Sequence, residues 1–236
     1  MKGQRIGLLI PPPNVVMETE CRRMFPPSVT IHATRIPRST DHVTVDSLLE
    51  MGKNTEEAAR LLVMTRPDVV IFGCTSGSFI MGVGWDQEIR ERIARVTAIP
   101  AITTSTAVLE GLRALGLKKV SLFAPYTEDI TLREKKFLEG NGFQVLGVRG
   151  LGISASLEIA EFPLPEIEKQ ALETTAKEAD GLFISCTNFP TIEIIEKLEK
   201  QLRKPVLTSN QASAWAAWKI LGRREPIKGF GELFAR

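Results

Sequence analysis

Histidine and tyrosine are almost missing from this 236-residue chain: only His32, His42 and the single tyrosine Tyr126 occur. Neither histidine stands near a cysteine at ligand spacing, so a zinc site has little to build on. Cysteine is also scarce. Cys21, Cys74 and Cys186 are too few and too scattered for a disulfide framework, and a reducing, cytoplasmic setting is the expectation. No apolar run approaches the ~20 residues of a membrane span. The strand-like opening Arg5-Ile-Gly-Leu-Leu-Ile10 lacks the basic-then-apolar order of a secretory signal. Excess charge of one sign is lacking as well: 30 Lys and Arg face 28 Asp and Glu, for a net charge of +2. They are interspersed, with no basic block of the kind that tracks a phosphate backbone, which argues against nucleic acid as a partner.

At 43% hydrophobic, the chain can bury a substantial core. Strand-like apolar runs fall near 5–10, 30–35, 68–73, 100–102, 119–124, 144–148, 180–185 and 204–207. Helix-length amphipathic segments lie between them: 46–64, 106–115, 129–139, 164–179, 192–202 and 212–221, with a shorter one at 15–23. Alternation of this kind predicts an α/β fold with parallel sheet. Gly116 and Gly222 sit where a left-handed residue would close a helix.

Two stretches nearly half a chain apart read alike. Val69-Val-Ile-Phe-Gly-Cys74-Thr-Ser-Gly77 and Gly181-Leu-Phe-Ile-Ser-Cys186-Thr-Asn-Phe-Pro190 each run from an apolar strand into a cysteine and a short polar turn. The offset, 186 − 74 = 112, recurs between Asn14 and Tyr126, each following a strand and a proline. Pro100-Ala-Ile-Thr-Thr-Ser105 is echoed by Pro205-Val-Leu-Thr-Ser-Asn210. The pattern predicts a duplicated unit, with halves 1–116 and 117–236, one thiol in each, and a last helix that could cross back onto the first half. Ligands of open parallel sheets bind at the carboxyl ends of strands, which is where Asn14, Cys74, Tyr126 and Cys186 fall.

A cysteine attacks as thiolate, so a pKa near 8.5 has to be lowered. No histidine is paired with either cysteine here, leaving backbone amides and helix N-termini to do so. A lone cysteine after an apolar strand is otherwise a small buried hydrophobe. The matching polar turns favour chemistry for Cys74 and Cys186, whereas Cys21, in a helical segment, reads as structural. Asn14 reads both as a helix cap and as a donor to a carboxylate. Thr104, Ser105 and Thr106 read first as caps, with Ser209 and Asn210 as their counterparts.

These residues jointly resemble the aspartate/glutamate racemase superfamily, in its maleate cis-trans isomerase and arylmalonate decarboxylase branch. Pro11-Pro-Pro-Asn-Val-Val-Met-Glu-Thr-Glu20, Ala124-Pro-Tyr126 and the two cysteines are similar to maleate isomerases. Thr104-Ser-Thr-Ala-Val-Leu-Glu-Gly-Leu-Arg-Ala-Leu-Gly116 and Gly229-Phe-Gly-Glu-Leu-Phe234 look more like arylmalonate decarboxylases, and Cys186-Thr-Asn-Phe-Pro190 like racemases. The resemblance implies two pseudo-symmetric, Rossmann-like or flavodoxin-like halves with the active site between them. It also implies a homodimer and chemistry without metal or organic cofactor. Decarboxylases of the branch keep only the second cysteine, so Cys74 argues for an isomerase acting on a small carboxylic acid, maleate first. By the same resemblance Cys74 adds to the alkene and Cys186 moves the proton. Asn14, Thr75, Ser76, Tyr126, Ser156 and Thr187 would then bind substrate. Ser156 stands about where maleate isomerases carry a carboxylate-binding asparagine. Three other readings stay open: a racemase of an amino acid or hydantoin-type α-carbon acid, a malonate decarboxylase, and a carboxylate sensor without catalysis.

Overall fold

A computed structural model of the chain describes residues 3–236. The first half of the sequence supplies β1 (Gln4–Ile10), α1 (Met17–Met24), β2 (Val29–Arg35), α2 (Val45–Leu62), β3 (Val69–Phe72), α3 (Thr75–Phe79), α4 (Trp85–Thr97), β4 (Ala101–Thr103) and α5 (Thr104–Ala114). The second supplies β5 (Lys119–Ala124), α6 (Glu128–Gly140), β6 (Gln144–Gly150), α7 (Ser156–Ala160), α8 (Leu164–Thr174), β7 (Gly181–Ile184), α9 (Ile195–Leu202), β8 (Val206–Thr208) and α10 (Ser209–Ile220). Each half forms a four-stranded, all-parallel sheet, in the orders β2-β1-β3-β4 and β6-β5-β7-β8. The expected α/β architecture of two like sheets is therefore present.

The central strands are continuously apolar because helices cover both faces. Ile6, Leu8, Leu9 and Ile10 of β1, Val69–Phe72 of β3, and Leu182–Ile184 of β7 are all fully buried. Packing is close enough to dictate Gly73: a Cβ there would lie 2.4 Å from the Met17 sulfur, so α1 can press on the end of β3 only above a glycine. Thr44 begins α2 with a reciprocal Thr44–Ser47 capping box, and Thr208 begins α10 with the same device using Gln211. The cap of α5 is Thr103, one residue ahead of the Thr104–Thr106 run expected to supply it; Thr106 instead provides the N–H that Thr103 accepts. Gly116 and Gly222 close their helices at φ +72° and +76°.

Some boundaries differ from the sequence expectation. Helix α8 stops at Thr174 rather than 179, where the Thr174 and Thr175 hydroxyls turn back onto the carbonyls of Gln170 and Ala171. Helix α4 was not expected. Its apolar face is narrow, with only Ile89 and Ile93 among its large apolar side chains fully buried, so its periodicity is faint in the sequence. The last long helix, α10, is buried almost throughout and packs on α5 and α1 of the first half, tying the two sheets together.

Candidate active site

Strands β1 and β3 are central in one sheet, β5 and β7 in the other, and the turns after all four converge. Asn14, Cys74, Tyr126 and Cys186 line one cavity of about 20 Å³, together with Thr75, Ser76, Ser156 and Thr187. All eight residues singled out in the sequence thus meet in one place, along with Pro11, Pro13, Arg38, Val43, Ile159 and Asn188. Cys21 is absent from the lining. It is buried in the core beside Glu20 and Glu18, and desolvation drives its thiol far above the usual range.

The two thiols occupy equivalent turns but different surroundings. Cys74 is extended (φ −145°) and precedes α3; its sulfur accepts the Gly77 N–H at 3.3 Å and lies 3.6 Å from the Ser76 hydroxyl. Cys186 has φ +97°, a left-handed conformation that a side chain takes up at a cost of about 1–3 kcal/mol. The turn is held by the Cys186 N–H donating to Ser209 Oγ at 3.0 Å and the Asn188 N–H donating to the Cys186 sulfur at 3.4 Å. Burial raises both thiols. For Cys74 the opposing influences are the Gly77 N–H, the Ser76 hydroxyl and the Arg38 cation. Cys186 is pushed up to about 12 by burial, against which the Tyr126 hydroxyl and the Asn188 N–H work, while Cys74 and Glu134 add to the rise. Of the pair, Cys74 is the one on which the Arg38 cation acts more strongly to favour a thiolate.

Several hydroxyls expected to face a ligand are engaged in holding the halves together. Thr75 Oγ1 donates to Ser209 Oγ at 2.9 Å, and Thr187 Oγ1 donates to the Gly73 carbonyl at 3.0 Å. Asn14 Nδ2 donates one hydrogen to Thr187 Oγ1 at 3.0 Å, while its Oδ1 accepts the Val16 and Met17 N–H groups just ahead of α1, whose N-cap position is Val16. Ser156 Oγ donates to the Asp41 carbonyl at 2.5 Å and accepts from Arg38 Nη2 at 3.1 Å. The N–H groups of Thr75 and Ser76, in the first turn of α3, have no carbonyl partner within the helix.

The roof of the cavity joins equivalent loops of the two halves, β2–α2 and β6–α7. The Val43 N–H donates to the Ser154 carbonyl and the Ser156 N–H to the Asp41 carbonyl; His42 pairs with Ala155 in an antiparallel bridge. Arg38 belongs to this roof and is the residue that the sequence reading missed. A signal existed: Arg38 follows β2, at a strand carboxyl end by the rule that marked Cys74, but no matching motif drew attention to it. Asn188 was equally traceable, since 188 − 76 = 112 places it opposite Ser76. Among the described residues no three His, Cys, Asp or Glu side chains stand together as a metal site. Nor is any helix among them long and apolar enough to cross a membrane.

Two parallel α/β sheets with a thiol at the same turn of each, converging on one cavity, define the two-cysteine class of the aspartate/glutamate racemase superfamily. The family profile of arylmalonate decarboxylase matches residues 6–234, and the chain belongs to that family. It is 30% identical to an arylmalonate decarboxylase of Bordetella bronchiseptica, over 97% of this chain and 95% of that one. It is 27% identical to a maleate isomerase of Geobacillus stearothermophilus, over 99% and 98%. Among solved structures, a cysteine-to-serine variant of Nocardia farcinica maleate cis-trans isomerase carrying a covalently bound succinylcysteine intermediate superimposes with a TM-score of 0.94, at 25% identity over 98% of each chain.

Proposed function

We propose that this protein is a cofactor-independent, two-cysteine isomerase that converts maleate to fumarate. The observation that carries the reading is the pair of thiols on opposite halves of one cavity, with the Arg38 cation acting more strongly on Cys74 than on Cys186. The covalent succinylcysteine in the Nocardia farcinica enzyme supports thiolate addition as the reaction type. A decarboxylase of the branch is the alternative, favoured by the 30% identity to the Bordetella bronchiseptica enzyme and opposed by the presence of Cys74.

In the proposed reaction the Cys74 thiolate forms a bond to C2 of maleate, and the π pair moves toward C3 and its carboxylate as an enediolate. Cys186 delivers its proton to C3, leaving a succinyl group on Cys74. Rotation about the new C2–C3 single bond follows. Cys186 then takes the C3 proton back, the electron pair re-forms the double bond, and the Cys74 thiolate leaves fumarate behind. The Thr75 and Ser76 N–H groups, with Tyr126, Asn14, Thr187 and Ser156, hold the carboxylates directly or fix the groups that do. A preorganised donor of this kind is typically worth about 3 kcal/mol in the transition state. A cavity of about 20 Å³ has room for about one water, so a four-carbon diacid enters only when the β2–α2 and β6–α7 loops part. The same proposal takes the halves to divide between residues 116 and 117 and the enzyme to act in the cytoplasm as a homodimer, on the family resemblance and the scarcity of cysteine.

Maleate mixed with the protein in deuterated buffer and followed by NMR of its vinyl protons tests the reading. Fumarate is expected from the wild type and from neither Cys74→Ser nor Cys186→Ser. Unchanged maleate with the wild type refutes it, and CO2 release from a disubstituted malonate would put the decarboxylase in its place.

A further inference from the structure

The cavity between the halves is lined by fourteen residues, and one of them, Arg38, carries a charge. The rest of the wall is thiol, hydroxyl, amide and apolar, with Val43, Ile159, Pro11 and Pro13 as the apolar part. A guanidinium in such a wall would ordinarily be neutralised by a carboxylate. Here the protein holds it with neutral acceptors instead. Arg38 Nε donates to the Thr40 carbonyl at 2.7 Å, and Nη2 donates to the Asp41 carbonyl at 2.8 Å and to Ser156 Oγ at 3.1 Å. Among the described residues no Asp or Glu forms an ion pair with it. Asp41 and Glu50 act on it only at a distance; Glu50 accepts from the Ser39 N–H and hydroxyl, and Asp41 offers Arg38 its backbone carbonyl rather than its carboxylate. The second arm, Nη1, makes no hydrogen bond within the described protein. An arginine that lines a cavity, has its Nε and Nη2 hydrogens on neutral acceptors, forms no ion pair and keeps both Nη1 hydrogens unbonded is a charged donor available to a carboxylate.

We propose that Arg38 is the specificity-determining residue of this site, receiving the second carboxylate of a dicarboxylate substrate and excluding monoacids and arylmalonate-type substrates with an uncharged group at that end. The inference rests on the isomerase reading for which end reacts: one carboxylate becomes the enediolate beside the two thiols, and the other lies under the roof on Arg38. It also assigns Ser156 a role other than direct binding. The hydroxyl bridges the β2–α2 loop to the β6–α7 loop and sets the Arg38 fork. Because Arg38 and Ser156 sit on opposing loops, a bound diacid would also favour the closed roof, coupling recognition of the second charge to exclusion of water.

Titration calorimetry with succinate, monomethyl succinate and butyrate, none of which has an alkene to react, tests this on the whole protein. Wild type is expected to bind succinate at least about tenfold more tightly than either singly charged analogue, the worth of one charge-assisted hydrogen-bonded contact. Arg38→Gln is expected to lose that preference, and Arg38→Lys, which keeps the charge but not the fork, to retain part of it. The ester comparison on wild type needs no variant, so a folding defect in Arg38→Gln cannot hide the answer. Equal binding of succinate and its monomethyl ester by wild type overturns the proposal, as does a folded Arg38→Gln protein that still prefers succinate. The isomerase reading fails separately: a protein that prefers succinate through Arg38 but leaves maleate unchanged keeps the receptor and loses the reaction.

Discussion

Glu134, on α6 behind the Cys186 turn, offers a test of the site's electrostatics that does not touch a thiol. Its carboxyl is 1% exposed; Ser185 Oγ donates to Oε1 at 2.6 Å, and Oε2 has no partner in the protein. Burial drives the carboxyl up to about 8, with the Ser185 hydroxyl opposing. In the unfolded chain the same group titrates near 4.5. Between those values the folded protein keeps a proton that the unfolded chain has released. Stability conferred by this group is therefore fully present below about pH 4.5 and is lost as pH rises toward about 8. At about 1.4 kcal/mol for each pH unit, the loss across the window is roughly 5 kcal/mol as an upper figure. Glu134→Gln keeps an acceptor for Ser185 and removes the titration. Urea unfolding of both proteins, from about pH 5 to about pH 8, is expected to show wild type losing stability relative to the variant by roughly 3–4 kcal/mol. Glu20 and Glu199, also raised by burial, contribute equally to both proteins and cancel in the difference. Parallel stability curves would refute the reasoning, since they would mean the carboxyl is ionised or solvated in the folded state at neutral pH. Activity supplies a second reading. An ionised Glu134 raises both Cys186 and Tyr126 and so keeps Cys186 in the protonated form the proposed reaction needs; the variant is therefore expected to lose kcat/KM at lower pH than wild type on the alkaline side.

Three further outcomes are expected. Gly77→Ala places a Cβ 2.5 Å from Met51 Cε and 3.1 Å from the Cys74 sulfur, so it is expected to cost about 1–3 kcal/mol of stability and to lower kcat/KM by displacing the thiol, read by thermal melting and steady-state kinetics. Ser209→Ala leaves both the Cys186 N–H and the Thr75 hydroxyl without their shared acceptor, an expected loss of about 1–3 kcal/mol; a crystal structure showing Cys186 still at positive φ and full activity would count against Ser209 as the brace. Cys21→Ala is expected to preserve kcat/KM, with a modest destabilisation of about 1 kcal/mol for the small cavity, and native wild-type protein to resist thiol reagents at Cys21.

The sequence made the strand ends legible because a parallel strand buried on both faces is a continuous apolar run, and the polar residue that ends it is visible at once. Cys74, Cys186, Asn14 and Tyr126 were found in that way, and the 112-residue offset paired them. What the pattern could not convey was commitment. Thr75, Thr187 and Ser156 are correctly placed at the cavity, but their hydroxyls hold the halves or the roof together, and that depends on partners more than a hundred residues away. Arg38 escaped notice for the opposite reason. A single arginine in a proline-containing loop is unremarkable in a chain with 30 basic residues, and only the folded roof brings it over the thiols. Helix α4 was lost because its amphipathic stripe is too narrow to stand out from its charged neighbours.

Duplication by itself makes the two thiols equal, whereas addition to an alkene requires them to differ: one must arrive as thiolate and the other must carry a proton. The backbone preserves the symmetry, with a strand, a cysteine and a sulfur accepting a downstream N–H in each half. The side chains around it break the symmetry. Arg38 comes from the β2–α2 loop and acts more on Cys74 than on Cys186, and the equivalent β6–α7 loop, residues 151–155, has no charged residue to offer. Glu134 comes from α6 and acts on Cys186; at the equivalent place in the first half, α1 sets the uncharged Met17 against Gly73. Each half therefore differs from the other by one ionisable group near its thiol, a cation on the Cys74 side and a buried carboxyl on the Cys186 side. Both differences act in the same direction. They favour the thiolate at Cys74 and the thiol at Cys186, which is the division of labour that addition followed by proton transfer demands.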